Sequence, residues 1–270
     1  MTALTLTKHH GLGNDFLVLF TDDADRHDLP ARARQWCHRT RGVGADGLLV
    51  GTTAEGYDAR MVLYNADGSR AEMSGNGIRC FAQALARRDG ALGDRAILTD
   101  AGRRDVVVQA TEDPLTVLAA VDMGEVATLV EPDGWAAIGA NPDRPVAHLG
   151  LGNPHTVVGV DDVHAIDLLG LGRRLPHVNL EVVEPGPERD AITMRVHERG
   201  AGITAACGTG AAAAAWAAAG WGLVDRDVEE LLVHMDGGSA RVALHRPGPG
   251  RVTLTGPATF VATIEIPQDA

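Results

Sequence analysis

The 270-residue chain is 45% apolar and carries a formal net charge of −12. It holds enough apolar residues for one large core or two modest ones. With no Lys/Arg cluster standing free of Asp and Glu, the acidic balance excludes a nucleic-acid or membrane surface. Small molecules or copies of the chain itself are the expected partners. No apolar run reaches the roughly 18 residues of a membrane span, and "MTALTLTKHH" lacks the basic start and apolar stretch of a signal peptide, so a cytoplasmic location is expected.

In chain order, "GLGND" (11–15) leads into "FLVLF" (16–20), whose apolar and aromatic run predicts a strand, as does "RMVLYN" (60–65). "AEMSGNGIRC" (71–80) then places Ser74 before Gly-Asn-Gly and opens a helix with Ile78, Phe81, Ala82 and Leu85 at helical spacing. Strands follow at "DVVVQA" (105–110) and "TVLAAV" (116–121), and a boundary is expected near "VDMGE" (121–125). "GLGNP" (150–154) and "HTVVGV" (155–160) repeat the opening pattern, followed by the strands "HVNLEVV" and "AITMRVH". "TAACGTGAAA" (204–213) puts Cys207 before Gly-Thr-Gly and opens "GAAAAAWAAAG", which is apolar nearly all round and must be buried, with an expected stop at Gly220. "EELLVHM", "ARVALH" and "RVTLTG" complete the strands.

The two Gly-rich pairs recur at nearly the same interval, position 150 against 11 and position 207 against 74, which predicts a duplicated, mostly β domain with one prominent helix per copy. A Gly-rich turn at a helix start offers unpaired N–H groups and the positive end of the helix dipole to an anion. No Gly-Lys-[Ser/Thr] ending follows, so the anion is expected to be a carboxylate rather than a nucleotide phosphate. The same field is expected to lower the pKa of Cys207. One such group on each side of a ligand is the arrangement for removing a proton from one face of a carbon and returning it to the other. Cys37 and Cys80 read as buried thiols, and Lys8, the sole lysine among 24 basic residues, is a poor candidate for a pyridoxal phosphate Schiff base.

Taken together, "GLGNDF", "YNADGSRAEMSGNGIRC", "GNPH", "VN" at 178–179 and "ERGAGITAACGTGA" resemble diaminopimelate epimerase, in order across almost the whole chain. The resemblance implies an α+β fold of two pseudo-symmetric domains, each a β-barrel-like sheet wrapped around a central helix, spanning 1–122 plus 262–270 and 123–261. It implies a homodimeric enzyme without cofactor or metal that interconverts LL- and meso-diaminopimelate for lysine and peptidoglycan synthesis. Cys207 matches one of the family's two catalytic thiols and Ser74 occupies the place of the other, with His155 and Glu198 assisting. Gly75, Asn76, Gly208 and Thr209 are implied to hold the α-carboxylate, and Asn14, Asn65, Asn153, Asn179, Glu198 and Arg199 to contact the rest of the substrate. A hydroxyl is a poor base near neutral pH, so Ser74 implies impaired turnover. The alternatives are a Ser/Cys epimerase of a hydroxyproline-like amino acid, as in some proline racemase relatives, and a non-catalytic amino-acid binder.

Overall fold

The computed structural model describes residues 3–24, 28–225, 227–245 and 250–267. It separates into two compact units, Met1–Val121 with Gly256–Ala270, and Asp122–Thr255.

In the first unit, β1 (Ala3–Gly11) and β2 (Asn14–Phe20) form a hairpin, and α1 (Leu29–Trp36) crosses to β3 (Gly47–Thr52), which lies parallel to β2. Then come β4 (Ala59–Asn65), the two-residue β5 (Arg70–Ala71), α2 (Gly75–Asp89), β6 (Gly93–Thr99), β7 (Gly102–Ala110) and β8 (Thr116–Glu125). Among the described residues the pairing runs β1-β2-β3-β4-β6-β7-β8 and returns to β1 through β17 (Arg251–Pro267), a closed ring of eight strands. Closure leaves no free sheet edge. The amphipathic helix α2 packs on β1, β2, β4 and β7 and buries every residue from Gly75 to Ala86.

The second unit repeats this plan. After β9 (Ala127–Thr128) and the single turn α3 (Trp135–Ile138), β10 (Val146–Gly150) and β11 (Pro154–Gly159) form the hairpin, and α4 (Leu168–Arg174) crosses to the parallel β12 (Asn179–Pro185). The antiparallel β13 (Ala191–Glu198) and β14 (Gly202–Thr204) lead into α5 (Gly208–Trp221), then β15 (Glu230–Met235), β16 (Gly238–Leu244) and the first part of β17. Nearly all of α5 is buried against β10–β13, β15 and β16, and its alanines let six strands approach one helix closely. The expected stop at Gly220 is wrong: the helix continues one residue further and ends at Gly222, whose φ of 75° is the left-handed cap that glycine takes most cheaply.

Both central helices start alike. Ser74 and Cys207 are extended N-cap residues whose side chains accept from the third helical amide, Gly77 N at 3.0 Å and Gly210 N at 3.3 Å. The final glycine of each motif makes room for that bond. A Cβ at Gly77 would lie 3.1 Å from Ser74 Cβ and 3.4 Å from Leu49 Cδ2, whereas one at Gly210 would lie 3.2 Å from Cys207 Sγ and 2.6 Å from the buried Glu181 Oε1. Gly11 and Gly256 give space to another group, the guanidinium of the fully buried Arg79, at 3.2 and 3.1 Å from the same construction. The β1–β2 turn holds Leu12 and Gly13 at φ 56° and 84°, the primed geometry that matches strand twist at the cost of a strained leucine.

His9, fully buried, sits between Gln83 Oε1 (2.8 Å) and Thr7 Oγ1 (2.9 Å), and burial drives its pKa down to about 4. The unfolded chain therefore takes up a proton first, so stability should fall as pH drops from about 6.5 toward 4, by roughly 3 kcal/mol at most. Urea unfolding of the wild type and His9→Gln across pH 4–7 checks this, the variant showing a flatter profile. Thermal unfolding should also separate the two motif glycines. Gly210→Ala should cost on the order of 1–3 kcal/mol through the displaced Glu181, and Gly77→Ala should be near neutral because helix propensity offsets a mild contact.

Candidate active site

In the second unit the parallel register of β11 and β12 sets His155 opposite Asn179, and the period-2 alternation puts Glu181 on the same face. That face looks toward the start of α5. His155 Nδ1 lies 2.7 Å from Glu181 Oε1 and Nε2 lies 2.9 Å from Asn153 Oδ1. Asn153 Nδ2 reaches Thr209 Oγ1 at 3.2 Å, and Thr209 Oγ1 lies 3.5 Å from Cys207 Sγ. His155, Glu181, Thr209 and Cys207 are all buried. Asn179 joins neighbouring strands, donating to Pro154 O (3.2 Å) and accepting from Arg199 N (2.8 Å).

Glu198, half-buried at the end of β13, accepts from Thr204 Oγ1 at 2.5 Å. Burial and the charge of Glu181 raise its pKa, against hydrogen bonds from Thr204 and Cys207 and the charge of His155. The expectation for Cys207 is overturned. Burial first, then the carboxylates of Glu198 and Glu181, hold its thiol well above the ordinary value, and the bonds from Thr209 and Gly210 do not reverse this. A dipole at a helix end is worth about 0.3–1 kcal/mol, too little against burial of the thiol and two neighbouring carboxylates. Cys37 and Cys80 are pushed up to about 12 by burial and are inert.

The first unit has the same backbone with different chemistry. Phe16 stands opposite Gly47 where His155 stands opposite Asn179, and two residues on, Leu49 takes the place of Glu181. The half-buried Ser74 therefore starts its helix beside apolar neighbours. Asn76 Nδ2 donates to Asn14 Oδ1 (3.2 Å), and Asn14 Nδ2 donates to Asp46 Oδ2 (2.7 Å). Arg79 donates to Asn76 Oδ1 (2.7 Å) and Gly75 O (3.1 Å), fixing a buried positive charge one turn inside the helix; five residues after Cys207 the corresponding residue is Ala212. Lys8 bridges to Asp15 (2.8 Å) and Gly44 O, and Arg39 ties Asp15 to Asp46, so the sole lysine has a structural place under Asn14. Asn65 bonds Ser69 through both side chain and backbone in the turn before β5.

Within their units, the structure thus gathers Cys207, Thr209, Asn153, His155, Asn179 and Glu198 in one case, and Ser74, Asn76 and Asn14 in the other. Sequence reasoning missed Glu181, Asp46 and Arg79. A carboxylate inside the apolar "HVNLEVV", two residues after Asn179, and an arginine inside an apolar helix were the available signals. Among the described residues, no group of three His, Cys, Asp or Glu side chains is placed to hold a metal ion, and no helix is long and apolar enough to cross a membrane.

The chain is similar to solved structures that share its fold at low identity. These are a phenazine biosynthesis protein from Bacillus anthracis (14% identity, TM-score 0.77, covering 99% of this chain and 100% of that one) and a hydroxyproline epimerase from Agrobacterium vitis (17%, 0.68, 98% and 91%). In sequence it is 40% identical to the diaminopimelate epimerase of Magnetococcus marinus, over 94% of each chain. It is 35% identical to that of Geobacillus kaustophilus, over 97% of this chain and 96% of that one. The family profile for diaminopimelate epimerase matches residues 6–129 and 148–261, and the chain belongs to the diaminopimelate epimerase family.

Proposed function

We propose that the chain interconverts LL- and meso-diaminopimelate by a cofactor-independent two-base mechanism, as a cytoplasmic homodimer serving lysine and peptidoglycan synthesis. The observation that carries this reading is the buried thiol of Cys207 at a helix start, facing Glu198 and backed by Thr209, Asn153, His155 and Glu181. A thiol at an N-cap gains little as a cap, since serine or asparagine caps better; its use there is chemical. The substrate α-carboxylate takes the helix-start amides at Gly75, Asn76, Gly208 and Thr209. Arg199 pairs with the distal carboxylate, and Asn14, Asn65, Asn153 and Asn179 fix the remaining polar groups. The reacting ammonium binds Glu198. Its positive charge offsets the carboxylates that hold the Cys207 proton on, so binding itself lowers the thiol pKa and readies the base.

Ser74 serves the opposite face of Cα. Its hydroxyl donates a hydrogen bond well but is a weak acid and a poor base, and neither Phe16 nor Leu49 can exchange its proton. Proton abstraction therefore rests with Cys207 and its neighbours. Chiral chromatography of diaminopimelate after incubation with wild type, Ser74→Cys and Cys207→Ser tests the assignment. Ser74→Cys should invert the substrate about 10²-fold faster or more, and Cys207→Ser should be inactive. Equal rates for wild type and Ser74→Cys would remove Ser74 from the reaction, and no conversion by either would move the search to hydroxyproline-like amino acids.

A further inference from the structure

Glu198 ends β13, and Thr204 ends β14 three residues before Cys207. The hairpin joining them sets Glu198 opposite Gly202 and Val196 opposite Thr204, so Glu198 and Thr204 are diagonal neighbours on one face. Gly202 has a φ of 81°, a conformation that suits glycine, and it presents no side chain across from the carboxylate. Glu198 takes the next residue on that face instead. Thr204 Oγ1 donates to its Oε1 at 2.5 Å, the length of a hydroxyl bonded to a charged carboxylate. Backbone contacts hold the residues on either side: Arg199 N donates to Asn179 Oδ1 at 2.8 Å, and Gly237 N donates to Ala205 O at 2.7 Å.

The first unit shows that the duplicated backbone does not require this threonine. The interval relating Cys207 to Ser74 matches Glu198, Gly202 and Thr204 with Asn65, Ser69 and Ala71, and Leu63 pairs with Ala71 as Val196 does with Thr204. There Asn65 bonds the residue directly across from it, donating to Ser69 Oγ at 3.0 Å, and the diagonal place holds alanine. In the second unit the hydroxyl stands at the diagonal place, and an amide has given way to a carboxylate. An amide can donate to its partner, whereas an ionised carboxylate only accepts, so the partner of Glu198 has to be a donor.

We propose that Thr204 is a positioning residue for the reaction: its hydroxyl holds Glu198 beside Cys207 in the charged form, the form that takes the substrate ammonium. Burial is the largest influence against that form, and the charge of Glu181 on β12 adds to it. Among the groups that favour it, Thr204 acts most strongly, ahead of Cys207 at the start of α5 and His155 on β11. A protonated Glu198 has no charge to offer an ammonium, so the bond from Thr204 sets how far toward acid pH the site still binds. This rests on the reading that Glu198 binds the reacting ammonium.

The test is a ¹³C NMR titration of the side-chain carboxyls in the substrate-free protein from pH 3 to 9, with Glu198→Gln identifying the Glu198 signal. Thr204→Val keeps the branched shape and strand preference and removes the donor. The Glu198 midpoint should rise by about one pH unit in Thr204→Val and return to the wild-type value in Thr204→Ser. Thr204→Ala, which introduces the residue the first unit carries at this place, gives the same reading where valine does not fold. An unmoved midpoint would overturn the proposal, as would one that serine fails to restore, since shape rather than the hydroxyl would then matter. Calorimetry of meso-diaminopimelate binding across the same pH range separates this from the assigned function. The acid limit of binding should move with the midpoint, and a limit that stays in place overturns the positioning role. A shifted midpoint without binding by any form keeps the hold on Glu198 and removes the assigned substrate, and binding with an unmoved midpoint does the reverse.

Discussion

A helix buried inside a wall of strands has to begin somewhere dry, and the bond from its N-cap side chain to the third helical amide is what makes that possible here. That bond is favoured by a glycine at the third position, where a Cβ would press on the cap, and by a short polar side chain at the cap itself. Both features appear twice, around Ser74 and around Cys207. The rest of each unit follows from them. Strands pack round the helix, and the residues that alternate onto the inner face near its start become the lining of a site.

The duplication preserves backbone and lets chemistry diverge. Around Ser74 the inner face presents Phe16 and Leu49, with the buried cation of Arg79 behind the first turn. Around Cys207 it presents His155 and Glu181, with Glu198 alongside and Ala212 where the other copy has arginine. One start has a buried cation behind apolar neighbours. The other is crowded with carboxylates. Serine at position 74 is the better cap there.

Much of this is legible in the sequence, and the illegible part has a common cause. Gly-Asn-Gly and Gly-Thr-Gly ahead of helical patterns announce both helix starts, since local backbone demands leave local marks. The all-alanine run announces burial for the same reason, although Gly220 misleads as a stop because the left-handed cap falls two residues later. The hydrogen-bonded cluster behind Cys207 leaves no such mark. Its members come from positions 153, 155, 181 and 209 and meet only through the β11–β12 register and the packing of α5 on those strands. The pKa of Cys207 is hidden for the same reason: the helix start argues one way, and burial by the surrounding strands, joined by the carboxylates of Glu198 and Glu181, argues the other and prevails. Asn65, by contrast, shows in its bonds to Ser69 the turn-forming side of its character.

Under the proposed mechanism the two halves are unequal partners, with proton abstraction resting on Cys207. Solvent deuterium incorporation at the reacting Cα, measured by NMR from pure LL- and pure meso-diaminopimelate in D₂O before appreciable inversion, tests it directly. The isomer whose α-proton faces Cys207 should acquire deuterium faster than it inverts, while the other exchanges slowly. Equal rates of exchange from both isomers would show two competent bases and contradict it.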